Sequence, residues 1–200
     1  MKPLEIDTPH GPARAHLHPV EEPKAALVLG HGAGGGVESR DLVAATEVAR
    51  AENVSVALVE QPYRVAGRRA PAPPARLDAA WTAVVGQLRA AELANLPLIA
   101  GGRSLGARVA CRTAEATGAV AVLCLAFPVH PPGRPEKSRL EELDAVTLPT
   151  LVVQGVSDPF GMPPPGPQRE VVQVKGDHGL KADLDAVGAA VQAWLRRIVA

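Results

Sequence analysis

Gly102-Arg103-Ser104-Leu105-Gly106 is the group of residues in this sequence with the clearest chemical use. Leu98 to Gly101 reads as a strand and Leu105 to Ala116 as a helix, so the five residues span a strand-to-helix turn. A serine on such a turn projects its hydroxyl above the sheet edge, and glycines on either side tolerate the crowding. Ser104 is therefore a candidate nucleophile. The Leu105 N–H would open the helix, where it can donate to a developing oxyanion. A serine is a poor nucleophile until a base takes its proton, and that base needs a carboxylate to fix its tautomer.

Both partners can be found further along. Asp158 follows the apolar run Thr150 to Gln154, and His178 follows Val171 to Val174. Each would lie at the carboxyl end of a strand, where open α/β sheets assemble their sites. The chain order Ser, Asp, His is the one used with a nucleophile on this kind of turn. Asp177 is a rival acid, but neighbouring side chains in an extended segment point apart. His130, after the strand Val120 to Ala126, is a rival base that would break the chain order; it fits better as a residue on the substrate rim. Tyr63, the only tyrosine, follows Val54 to Val59 at the same edge, as a pocket hydroxyl or a packed aromatic. Arg103 either forms a structural ion pair or binds an anionic substrate. His130, Tyr63 and Arg103 are the candidate substrate contacts.

The loop His31-Gly32-Ala33-Gly34-Gly35-Gly36 follows the apolar strand Ala25 to Gly30. Beside a nucleophile it supplies a second oxyanion donor, with the Ala33 N–H the first choice and the Gly34 N–H the second. The same stretch admits another class of function. Gly30-x-Gly32-x-x-Gly35 has the form of a dinucleotide fingerprint, with Glu60 where a ribose-binding acid would sit, and so describes a nicotinamide-dependent oxidoreductase. Two features oppose it. The next helix starts only at Ser39, and His31 occupies the tight turn.

The elements that must hold these residues alternate between strand and helix, which predicts an α/β fold with a mostly parallel sheet covered on both faces. Leu4 to Asp7 and Ala13 to Pro19 read as an antiparallel hairpin. Helices are expected over Ser39 to Ala51, with Ser39 as N-cap, over Pro74 to Leu93, near Ser138 to Leu143 and over Ala182 to Ile198. No linker or repeat divides the chain, so residues 1–200 are expected to form a single domain. Ala126 to Thr150 is too short and too rich in proline for a separate cap. Its Pro128, Pro131, Pro132 and Pro135 predict a fixed wall, with Phe127 and Phe160 the only phenylalanines near the site.

Composition narrows the partners. Twenty-one basic and twenty-one acidic residues cancel, so there is no surplus of charge to neutralise a phosphate backbone and nucleic acid is not expected. The start lacks the apolar core of a signal peptide, and the longest apolar run, Ala119 to Val129, is too short to cross a bilayer. No membrane association and a cytoplasmic location are expected. Cys111 and Cys124 have no metal-ligand spacing and read as buried thiols. Neither a metal nor an organic cofactor is required, and oligomeric state carries no signal.

The whole pattern resembles the α/β-hydrolase superfamily near its dienelactone-hydrolase-like branch, and more closely the KANL/TEX group of predicted hydrolases. The segments that carry the resemblance are Leu29 to Gly35, Gly101 to Arg108, Phe127 to Pro135, Gln154 to Gly161 and Asp177-His178. It implies an α/β-hydrolase fold without a cap and a Ser104–Asp158–His178 triad. Ser104 stands where the dienelactone hydrolases themselves carry cysteine. The reaction expected is hydrolysis of a small soluble ester or thioester acyl substrate through an acyl-enzyme. A catalytically silent interaction protein on the same fold is the remaining alternative.

Overall fold

The computed structural model describes residues 2–200. Its centre is an eight-stranded sheet in the order β1-β2-β4-β3-β5-β6-β7-β8. β1 (Leu4–Ile6) and β2 (Ala13–His18) form the expected hairpin, with Ile6 opposite Ala13. β2 also pairs antiparallel with β4 (Val54–Glu60). All other pairings are parallel, through β3 (Ala25–Gly30), β5 (Leu98–Arg103), β6 (Ala121–Leu125), β7 (Thr150–Gly155) and β8 (Arg169–Val174).

The parallel strands read as continuous apolar runs because both faces are covered. Along β3, Ala26 and Val28 enter one core while Ala25, Leu27 and Leu29 enter the other. The first core lies under α3 (Pro74–Ala90), α4 (Leu105–Thr113) and the short α5 (Leu140–Asp144), around Trp81 and Phe127. The second lies under α1 (Arg40–Ala51) and α6 (Leu184–Ile198), around Leu42 and Trp194. No separate cap is present: α5 is the one helix between β6 and β7.

Several details depart from expectation. Ser39 sits at the N-cap of α1 but makes no side-chain cap hydrogen bond. Helix α3 ends at Ala90 rather than Leu93, its chain leaving through a turn in which the Leu93 N–H donates to the Leu88 carbonyl. A four-residue helix α2 (Pro62–Val65) follows β4, where Pro62 presets the first helical φ. None of the helices is long and apolar enough to cross a membrane.

Strand order reverses beside β3: the chain passes from β3 to β4 on one side, then returns to β5 on the other. Open α/β sheets carry a crevice beyond the carboxyl ends of the strands at such a point. The ends of β3 and β5 deliver His31 and Ser104 to it.

Candidate active site

Ser104 takes φ +52° and ψ −107°, a backbone conformation that side chains rarely adopt. Its own N–H donates to the Leu125 carbonyl at 2.9 Å, and its carbonyl accepts from the Arg108 N–H, so both neighbouring elements hold the strained turn. The flanking glycines are there for contact. A Cβ on Gly102 would lie 2.6 Å from the Gly30 carbonyl oxygen, and one on Gly106 would collide with that same oxygen. The elbow thus rests directly on the end of β3.

From this turn the Ser104 Oγ lies 2.8 Å from His178 Nε2. His178, in the turn after β8, places its Nδ1 2.8 Å from Asp158 Oδ2. Since Nδ1 faces a carboxylate, it carries the proton, which leaves Nε2 as the acceptor for the serine hydroxyl. The Asp158 side chain is almost wholly buried. Its Oδ1 accepts the Phe160 N–H at 2.8 Å, so the carboxylate is held from two directions. Asp177 takes no part: its Oδ1 accepts the Gly179 N–H and shapes the turn.

Three supporting residues carried no sequence signal of this role. Gln154, fully buried at the end of β7, has its Nε2 within 3.0 Å of Asp158 Oδ2 and of the Phe127 and Gly161 carbonyls. It ties the acid to the two chain segments around it. Phe160 stacks on the His178 imidazole with ring centroids 4.0 Å apart and planes 27° from parallel. Asp41, on the first turn of α1, reaches Arg103.

The last contact corrects an expectation. Arg103 is not free for an anionic substrate: its Nε lies 2.9 Å from Asp41 Oδ2, and its Nη2 donates to the His178 carbonyl at 3.0 Å. A Cβ on Gly32 would meet its Nη1 at 2.7 Å. Arg103 therefore knits the elbow to α1, to the glycine loop and to the turn that carries His178. Tyr63 is corrected likewise. It is buried, and its hydroxyl donates to the Ala33 carbonyl at 2.9 Å. A hydroxyl held this way anchors a loop rather than meeting substrate. His130 is half-buried, its N–H bonded to the Phe160 carbonyl and its ring against Gly161.

The glycine loop bends toward the serine, since a Cβ on Gly32 would lie 3.7 Å from the Ser104 Cβ. His31 organises the bend. Its Nε2 accepts the Gln61 N–H at 3.1 Å, so Nδ1 carries the proton, which it donates to the Gly32 carbonyl at 2.7 Å. The Gly35 N–H closes the turn on that same carbonyl. With the Gly32 and Ala33 carbonyls both occupied, the Ala33 and Gly34 N–H groups project from the opposite sides of their trans peptide planes. Helix α1 begins only at Arg40, and a Cβ on Gly35 would meet nothing within 4 Å, so the third glycine does not seat a helix as a dinucleotide fingerprint requires.

Burial lowers the His31 pKa below the ordinary 6.5. An unfolded chain would take up a proton there that the folded one refuses. The stability from neutral His31 is therefore complete above about pH 6.5 and is lost as pH falls toward the folded value. The urea midpoint of unfolding is expected to fall between pH 7.5 and 5. His31→Gln, which does not titrate, is expected to start lower and show a shallower slope. Equal slopes would mean that His31 is not the group responsible.

Residues 23–187 match the sequence model of the alpha/beta hydrolase domain family. The chain belongs to that family. No curated protein matches it by sequence. Among solved structures, it is similar to a serine hydrolase without lid from Xanthomonas campestris, with TM-score 0.79 and 23% identity over 98% of this chain and 94% of that one. Est1E from Butyrivibrio proteoclasticus gives TM-score 0.77 at 18% identity, covering 98% of both chains. A dienelactone hydrolase from Anabaena variabilis gives 0.75 at 15%, covering 98% of this chain and 96% of that one. At these identities the likeness is one of fold, and it extends to an alpha/beta hydrolase architecture without a separate cap.

Proposed function

We propose that this alpha/beta hydrolase is a serine hydrolase that cleaves small soluble esters or thioesters through an acyl-enzyme on Ser104. The observation that carries the reading is the unbroken hydrogen-bonded series Ser104 Oγ, His178, Asp158, each link 2.8 Å long. His178 Nε2 takes the hydroxyl proton as Oγ attacks the acyl carbonyl, and Asp158 stabilises the imidazolium. The oxyanion is held by the Leu105 N–H, at the first position of α4, together with the Ala33 or Gly34 N–H. His178 then gives its proton to the leaving alcohol or thiol. Water repeats the sequence on the acyl-enzyme, its proton passing to His178 and then to Ser104 as the free acid departs.

Short acyl groups suit this site. Phe127 is fully buried beneath it and unavailable, which leaves Phe160 as the large apolar side chain on the rim. A long chain would forgo roughly 0.8 kcal/mol for each CH₂ left in water. The finer family placement belongs to this proposal too: membership near the KANL/TEX group, within the dienelactone-hydrolase-like branch, is supported by the motifs around Ser104 and Asp158. So do action of residues 1–200 as one domain, a cytoplasmic location and a small-molecule rather than nucleic-acid partner, the last supported by the balanced charge.

A fluorophosphonate probe tests the reading, since it captures a serine only where base and oxyanion donors are assembled. The expected result is a single adduct on Ser104, absent from Ser104→Ala. A native chain left unlabelled would favour a silent member of the family, and an adduct on Ser157 would move the nucleophile.

A further inference from the structure

The two ends of the Gln154 amide are unequally used. Nε2 carries two hydrogens and faces three acceptors, Asp158 Oδ2 and the Gly161 carbonyl at 2.9 Å and the Phe127 carbonyl at 3.0 Å. Oε1 is buried and has no hydrogen-bond partner among the described residues. Turning the amide over would set Oε1 against those same three oxygens, so its orientation is fixed. A buried acceptor without a donor is unfavourable, and a methionine would fill the same length without one. Whatever the amide contributes therefore lies on its N–H side.

Two of the three acceptors are neutral carbonyls and the third is charged, so the bond to Asp158 is the strongest of them. Asp158 Oδ2 is also the atom 2.8 Å from His178 Nδ1, whereas Oδ1 accepts the Phe160 N–H. One carboxylate oxygen thus serves both the amide and the imidazole. Negative charge drawn toward the Gln154 N–H is charge that an imidazolium at His178 does not feel.

We infer that Gln154 is a positioning residue that acts through Asp158: its amide moderates the pull of Oδ2 on His178 and so keeps the base free of a proton near neutrality. The inference rests on the reading of Ser104, His178 and Asp158 as a triad. Other groups around the pair are turned elsewhere. Gln173, opposite Gln154 in register on β8, is uncharged, and the His130 ring lies against Gly161. Arg103 reaches the His178 carbonyl rather than its ring, and Asp177 bonds the Gly179 N–H.

Two variants separate this role from that of a structural tie. Gln154→Met and Gln154→Glu both weaken the hold on the Phe127 and Gly161 carbonyls. Only Gln154→Glu keeps a donor to Oδ2, because a carboxyl so close to an ionised one retains its proton. With p-nitrophenyl acetate, kcat/KM falls on acidification as His178 takes a proton. In Gln154→Met the midpoint of that fall is expected to rise by about half a pH unit, part of the worth of one hydrogen bond to a charged group. The alkaline plateau is expected to stay within a few-fold of native, and Gln154→Glu to keep the native midpoint. The proton between His178 Nδ1 and Asp158 gives a second readout, a low-field NMR signal identified by its absence from His178→Gln. It is expected to move further downfield in Gln154→Met and to stay near its native position in Gln154→Glu. An unmoved signal in Gln154→Met overturns the inference, as does a lowered plateau with an unmoved midpoint, or Gln154→Glu behaving as Gln154→Met does. Hydrolysis that persists in Ser104→Ala would instead sink the acyl-enzyme reading, while the low-field signal still decides whether Gln154 acts on His178.

Discussion

Ser104→Ala is expected to lower kcat toward a short p-nitrophenyl ester by on the order of 10⁴ or more, with His178→Ala close behind it. The two effects should not add. Once the nucleophile is gone the base has no proton to take, so the double variant is expected to match the worse single one. Asp158→Asn should cost less than either, because the imidazole survives with its Nδ1 hydrogen bond inverted. The control is Asp177→Asn, one residue from His178 in the chain but bonded to the Gly179 N–H. Its effect is expected to be no more than a few-fold, as for a residue outside a reacting unit. Steady-state rates of the four variants decide between the two acids, and an Asp177→Asn defect larger than that of Asp158→Asn would move the acid.

The residues of this unit were legible before the fold was known because each follows an apolar strand, and strands of a parallel sheet are the strongest pattern in this sequence. Ser104, Asp158 and His178 needed only chain order and strand ends to be found. Their supports were not legible. Gln154 reads as the polar last residue of a strand, and nothing local says that its amide reaches a carbonyl 27 residues away. His31 reads as a turn residue until β4 brings the Gln61 N–H beside it. Tyr63 and Arg103 show the same limit from the other side. Their types suit a pocket, yet the hydroxyl and the guanidinium are engaged by backbone and by an acid that only the tertiary arrangement supplies. One cap shows the same limit: Ser39 stands at the N-cap of α1, as its type suggests, but makes no side-chain cap bond.

Arg103→Met is expected to cost about 3–5 kcal/mol of stability, the usual penalty for leaving one member of a buried ion pair without its partner. The asymmetry of the pair sets that size. The Asp41 side chain is 1% exposed, whereas that of Arg103 is 17% exposed and keeps its bond to the His178 carbonyl if Asp41 is lost. Asp41→Leu should therefore be milder, about 1–3 kcal/mol, because the remaining cation still reaches a carbonyl and water. Removing both charges removes the stranded anion, so Arg103→Met/Asp41→Leu is expected to be more stable than Arg103→Met alone. Urea midpoints of the three variants give the cycle, and a double variant less stable than Arg103→Met would mean that the pair is held by packing rather than charge. The rates should follow a different order. Only Arg103 touches the turn that carries His178, so both variants lacking it are expected to lose kcat by about 10- to 100-fold with KM little changed, as when an interaction made in the transition state is weakened. Asp41→Leu keeps that hydrogen bond and should keep most of its rate. Stability rescued in the double variant while kcat is not would separate the two duties of one arginine: neutralising a buried acid, and fixing the base against the serine.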